Sequence, residues 1–101
     1  MGMPKRVHVL GVPYKIVAAP HSDMGCTTVD SQTITIHPTQ GPDQLRRTVL
    51  HEVLHAVVEG SGLGKWLGSS ESEEFAVAVL DSALYQLLRD NPVLVDFLCE
   101  R

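Results

Sequence analysis

His51-Glu52-Val53-Leu54-His55 places two imidazoles four residues apart, with a carboxylate beside the first. On an α-helix, positions i and i+4 stack one turn apart on the same face, so both rings can meet one metal ion. Glu52 lies close enough to that face to reach a water on the ion, which is where a general base works. A catalytic zinc takes three protein ligands and leaves a fourth position to water, so His51 and His55 are one ligand short. Downstream, Glu59, Glu71, Glu73, Glu74 and Asp81 are the candidates for the third.

The elements that must position these groups can be read from periodicity. Pro38 and Pro42 bound a breaker region, with Thr39 or Asp43 as the cap of the next helix. That helix fits residues 44–59 and is ended by Gly60, Gly62 and Gly64. Leu45, Val49, Val53, Ala56 and Val57 share one side, and Leu50, Leu54 and Val58 widen that apolar surface. The remaining strip holds Thr48, His51, Glu52, His55 and Glu59. A helix apolar on most sides, whose one polar strip carries His, Glu and His, has the pattern of an active-site helix under a cleft. Two surface histidines on an amphipathic helix are the plainer alternative.

Beyond the glycines lies a flexible connection, with Trp66 and Leu67 expected to tuck its middle down. A second long helix is expected over 72–89, with Val77, Leu80, Leu84, Leu87 and Leu88 on its buried face. The mean direction of that face falls close to Glu73 and leaves Glu74 at its edge. An unpaired carboxylate pointing inward is costly to bury, and a metal would relieve that cost. Acidic residues at a helix start are also favoured by the helix dipole, which suffices for Glu71 and Glu74. Glu59, on the same helix as the histidines, would sit beside an ion rather than across from it. Asn91-Pro92 breaks the second helix, and a short C-terminal helix completes the chain.

The first third reads as β structure. Residues 6–10 and 13–19 form a hairpin across Gly11, and 26–30 and 32–37 are further strands, with Ile34 and Ile36 on one face. The expected architecture is α+β: a small antiparallel or mixed sheet of three or four strands packed on the HExxH helix and the second long helix. No linker divides it, so residues 1–101 read as a single domain. For an 11.0 kDa chain the surface-scaling rule gives roughly 5,600 Å² exposed when folded, enough burial for one core without disulfides. With five aromatic residues, that core must be built from Val, Leu, Ile and Ala.

The net charge of −4 argues against nucleic acid, since nothing here neutralises many phosphates. No signal peptide, myristoylation site or 18-residue apolar run is present, which reads as a cytoplasmic chain with no membrane partner. Cys26 and Cys99 lack metal-type spacing and read as reduced thiols.

HEVLH joined, 18 residues after His55, by a helical Glu73 resembles the gluzincin pattern of zinc metallopeptidases. More closely, LHEVLHAVVEGSGL with EEFAVAVL looks like the small ImmA/IrrE-type and phage-encoded metallopeptidases, over the C-terminal half of the chain. The second motif of that family runs roughly E-x-E-A-N-x-F-A, and Glu73 to Leu80 can be laid on it. This sequence departs at Val77, where the family often has a polar residue able to support a ligand histidine. The resemblance implies a minimal zincin-like fold, Zn²⁺ held by His51, His55 and Glu73, and Glu52 as general base. It also implies a protein or peptide substrate whose bond is hydrolysed by water that the metal makes far more acidic than bulk water, towards a pKa of about 7. An extended substrate is expected along a strand edge, that of the strand ending at His37. His21, His37, Tyr14 and Tyr85 are the candidate donors to an oxyanion, and Arg46 and Arg47 form a solvated rim that can steer an acidic peptide. The alternative is a zinc-binding interaction module without turnover; Glu52, useless to a structural site, favours the enzyme.

Overall fold

Alternating residues and one tight turn build the sheet. In the computed structural model, which describes residues 2–100, β1 (Arg6–Val9) and β2 (Val12–Ala18) form an antiparallel hairpin. Its turn uses positive φ at Leu10 (51°) and Gly11 (81°), the twist that two-residue hairpin loops require. β3 (Gly25–Thr28) and β4 (Thr33–Ile36) pair antiparallel, and β4 also pairs parallel with β2, giving the order β1-β2-β4-β3. The mixed sheet therefore has β3 at one edge and β4 inside. The strand leading to His37 is not a free edge, and the edge beside the HExxH helix belongs to β3.

Four helices come after the sheet. α1 (Pro42–Ser61) starts at Gly41 without a side-chain cap. The Thr39 hydroxyl is taken up by His37 Nδ1 at 2.8 Å, while Asp43 sits in the first turn. α1 ends at Gly62, whose φ of 83° needs no Cβ. The expected flexible connection contains α2 (Leu63–Leu67), closed by a second left-handed glycine, Gly68. α3 (Ser70–Asp90) is capped by Ser69, whose hydroxyl accepts from the Ser72 N–H at 3.1 Å. Pro92 opens α4 (Pro92–Cys99).

Val9, Tyr14, Ile16, Ile34, Ile36 and Ala56 form the buried core between sheet and α1, with Leu45, Val49, Val53 and Val57 packed against it. That is the apolar side expected of the HExxH helix. α3 lies along α1 and departs from expectation: of its apolar face only Val77 is buried, while Leu80, Leu87 and Leu88 are 40%, 46% and 40% exposed. One helix, α1, and its short neighbours cannot cover so wide a face. Trp66 does not tuck down either; it is 89% exposed on a five-residue helix too short to press it against the body. As the single tryptophan, it should emit at the wavelength of indole in water and be quenched by acrylamide nearly as fast as a free tryptophan derivative. A blue-shifted, protected emission would contradict this placement.

Candidate metal centre

The i, i+4 spacing on α1 sets the two imidazoles with ring centroids 4.9 Å apart and Nε2 atoms 3.2 Å apart. Glu74, from the start of α3, reaches both Nε2 atoms: Oε1 lies 2.8 Å from that of His51 and Oε2 2.8 Å from that of His55. One ligand atom from each of His51, His55 and Glu74 falls within a sphere of mutual distances below 4.8 Å, so the three can hold one metal ion.

The opposite ring edges are also committed. His51 Nδ1 stands 2.5 Å from Asp81 Oδ2, and His55 Nδ1 stands 2.7 Å from Glu73 Oε2. Both carboxylates are largely shielded, at 15% and 14% side-chain exposure, so these bonds are held away from competing water. A neutral imidazole that donates from Nδ1 has only a lone pair at Nε2. The two Nε2 lone pairs then face each other and the Glu74 carboxylate with no proton among them. A metal ion, or a proton on one of the rings, would resolve such a convergence of acceptors. The same demand appears in the His51 pKa: burial by itself would lower it, but the Asp81 hydrogen bond and the charges of Glu74, Glu52 and Asp81 outweigh burial and hold it above the ordinary value.

Tetrahedral zinc with nitrogens at about 2.0–2.1 Å separates two ligand nitrogens by about 3.3 Å, close to the spacing here. The Glu74 contacts are tighter than such an edge, and a slight outward shift of this 59%-exposed side chain would accommodate the ion. The donor set of two imidazoles and one carboxylate suits zinc or a comparable transition metal.

Glu73 is the ligand that the sequence points to, and the structure places it elsewhere. It does point inward against α1, as its helix face demands, but that direction delivers it to His55 Nδ1, the far side of the ring. The edge position of Glu74 lets its carboxylate swing over both Nε2 atoms. Asp81 and Glu73 instead orient the rings and fix their tautomers, the role such carboxylates have behind metal-binding histidines. Glu59 packs towards Glu73; the hydrogen bond to it and its negative charge raise the Glu59 pKa above the usual carboxylate value.

Glu52 is 6% exposed and is held from the sheet edge. The Thr27 hydroxyl lies 2.8 Å from Glu52 Oε1 and 2.9 Å from the main-chain oxygen of the same residue, so its one proton is shared between them. Gly25 allows this approach: a Cβ there would stand 2.8 Å from Glu52 Cγ and 2.9 Å from Thr48 Cγ2. Thr48 is itself buried and donates to Gln40 Oε1 at 2.6 Å. Sequence patterns carried no sign of Gly25 or Thr27, because their role arises where β3 crosses α1. Asp81 was visible only as one acidic candidate among several.

A cleft of about 530 Å³ opens over the site, lined among others by Met24, Gly25, Arg47, His51, Glu52 and Glu74. None of the four expected oxyanion donors lines it. Tyr14 is 4% exposed in the core, His37 faces Thr39, the His21 ring accepts from the Asp23 N–H at 3.0 Å, and the Tyr85 hydroxyl donates to Asp43 at 3.2 Å. Arg47, stacked over the Tyr85 ring at 5.5 Å, is the cationic side chain at the cleft wall. Cys26 and Cys99 are both free and lie outside the site.

Replacing Gly25 by alanine should displace Glu52 and Thr48 and destabilise the fold by about 1–3 kcal/mol, read from urea unfolding. Thr27→Val should cost about 1–3 kcal/mol by leaving the buried Glu52 without its donor, and Thr27→Ser should recover most of it. Equal stabilities for Thr27→Val and wild type would contradict the contact. The functional reading rests on this geometry, for no family model matches the chain and neither curated proteins nor solved structures match it.

Proposed function

We propose that the chain is a zinc-dependent peptidase, with His51, His55 and Glu74 as the metal ligands and Glu52 as the general base. The observation that carries this reading is the pairing of two Nε2 atoms 3.2 Å apart under one carboxylate, with both Nδ1 atoms already committed to carboxylates. A zinc ion held there would supply a Lewis acid that acidifies water and polarises a scissile carbonyl. The resemblance of HEVLH and its downstream acidic helix to gluzincins points the same way.

The chain's own groups divide the remaining work. Glu52, steadied by Thr27 at the cleft floor, accepts the proton of the attacking water and returns it to the departing amine nitrogen. Asp81 and Glu73 keep the His51 and His55 rings from turning, so their Nε2 atoms stay aimed at one point. β3 is the terminal strand of the sheet on the cleft side, where an extended peptide would add its backbone hydrogen bonds. The cleft volume of about 530 Å³ accommodates a few residues of such a peptide rather than a folded protein face.

Metal analysis of purified variants tests the assignment. Wild type and Glu52→Gln should each carry about one zinc per chain, His51→Ala and Glu74→Ala almost none. Glu73→Ala and Asp81→Ala should bind zinc about 10–100-fold more weakly, the usual effect of losing a carboxylate behind a histidine ligand. Full zinc affinity in Glu74→Ala beside loss in Glu73→Ala would transfer the third-ligand role to Glu73. Absence of zinc from the supplemented wild type would overturn the reading altogether. On a fluorogenic peptide library, Glu52→Gln should lower hydrolysis by at least about 10²-fold, the scale of general-base catalysis. A zinc-loaded wild type inert on every library would instead identify a binding module.

A further inference from the structure

α4 is eight residues long and buries none of them. A helix of that length is not stable alone in water and depends on packing its apolar face. Its apolar side chains nevertheless face solvent: Val93 is 80% exposed, Leu94 38%, Phe97 70% and Leu98 65%. Leu87 and Leu88, in the last turns of α3, extend the surface at 46% and 40%. These six side chains expose roughly 600 Å², the top of the ~300–600 Å² range for the largest apolar patch on a typical monomer. The chain as a whole exposes 7098 Å², roughly 1,500 Å² above the ~5,600 Å² that a folded monomer of its mass presents.

We propose that α4 and the C-terminal end of α3 form a homodimer interface, covered in solution by a second copy of this chain. The area fits that occupant. A standard interface covers about 800 Å² per partner, of which about 65% is apolar in homodimers, so roughly 500 Å² of apolar surface is needed. The charges fit as well. Arg89 and Asp90 close α3 and Asp96 lies on α4, so the segments that carry the patch hold both signs of charge, as a two-fold contact of one patch with itself requires. A lipid surface would favour a helix rich in Lys and Arg, and α4 has neither. The patch lies beyond Asp81 along α3, so dimerisation leaves the cleft open, and the inference does not depend on peptidase activity.

Sedimentation equilibrium of the full chain between about 1 and about 100 µM tests this, since a dimer must respond to concentration. The expected mass at the upper end is twice the 11.0 kDa of one chain. Val93→Glu and Phe97→Glu, at positions open to solvent in the single chain, should sediment as monomers with wild-type helical circular dichroism. If either variant loses helicity, hydrogen exchange of wild-type α4 decides: protection that rises with protein concentration supports the dimer, and concentration-independent protection overturns it. A wild type that stays monomeric at the highest concentration overturns the proposal, whether or not it binds neutral or anionic phospholipid vesicles. A dimer that persists unchanged in both glutamate variants overturns the assignment of this surface.

Discussion

The arrangement of this molecule hinges on two imidazoles set edge to edge with their Nε2 atoms converging. Each ring is locked by a carboxylate at Nδ1, Asp81 for His51 and Glu73 for His55. These bonds make α3 run antiparallel beside α1: the earlier acid on α3 meets the later histidine on α1. Eight residues separate the acids and four the histidines, and the longer reach of Glu against Asp takes up part of the difference. With the two helices set this way, Glu74 reaches over the shared gap to both Nε2 atoms.

Charge explains why this packing is worth its cost. Glu52, Glu73, Glu74 and Asp81 crowd around two histidines, an accumulation of carboxylates that a bound cation would relieve. Without a metal, a proton on His51 relieves part of the excess, hence its raised pKa. A divalent ion held there would relieve more and would tie α1 to α3 at the point where their own apolar contact is thin, Val77 being the one fully buried side chain of α3 among the described residues. A metal bound there would therefore also help to hold the small fold together. The sheet enters through β3, where Gly25 admits Glu52 and Thr27 holds it.

α3 carries a second consequence of small size. One face is spent on the histidines, and among the described residues no further element covers the other. The hydrophobic surface at its C-terminal end and on α4 results from that shortage. An 11.0 kDa chain that devotes its two long helices to a polar centre has little apolar surface left to bury within itself.

Much of this was legible in the residues. Alternation in Thr33–Ile36, the width of the apolar face on α1 and the HEVLH spacing each depend on local geometry, which a chain of L-residues reproduces wherever it is helical or extended. The i, i+4 histidines had to share a face, and Glu73 had to point towards α1. Tertiary structure decided which atom of each ring it met. Glu73 and Glu74 are adjacent in sequence and differ by about 100° around the helix, so the rotation of α3 about its axis decides which of them faces which ring edge. That rotation is set by contacts between residues far apart, His51 with Asp81 and Val77 with its neighbours. The place of β4 inside the sheet, the edge position of β3 and the exposure of Trp66 were undetermined for the same reason. Periodicity tells which side of an element is apolar, and only the assembled fold determines what stands opposite it.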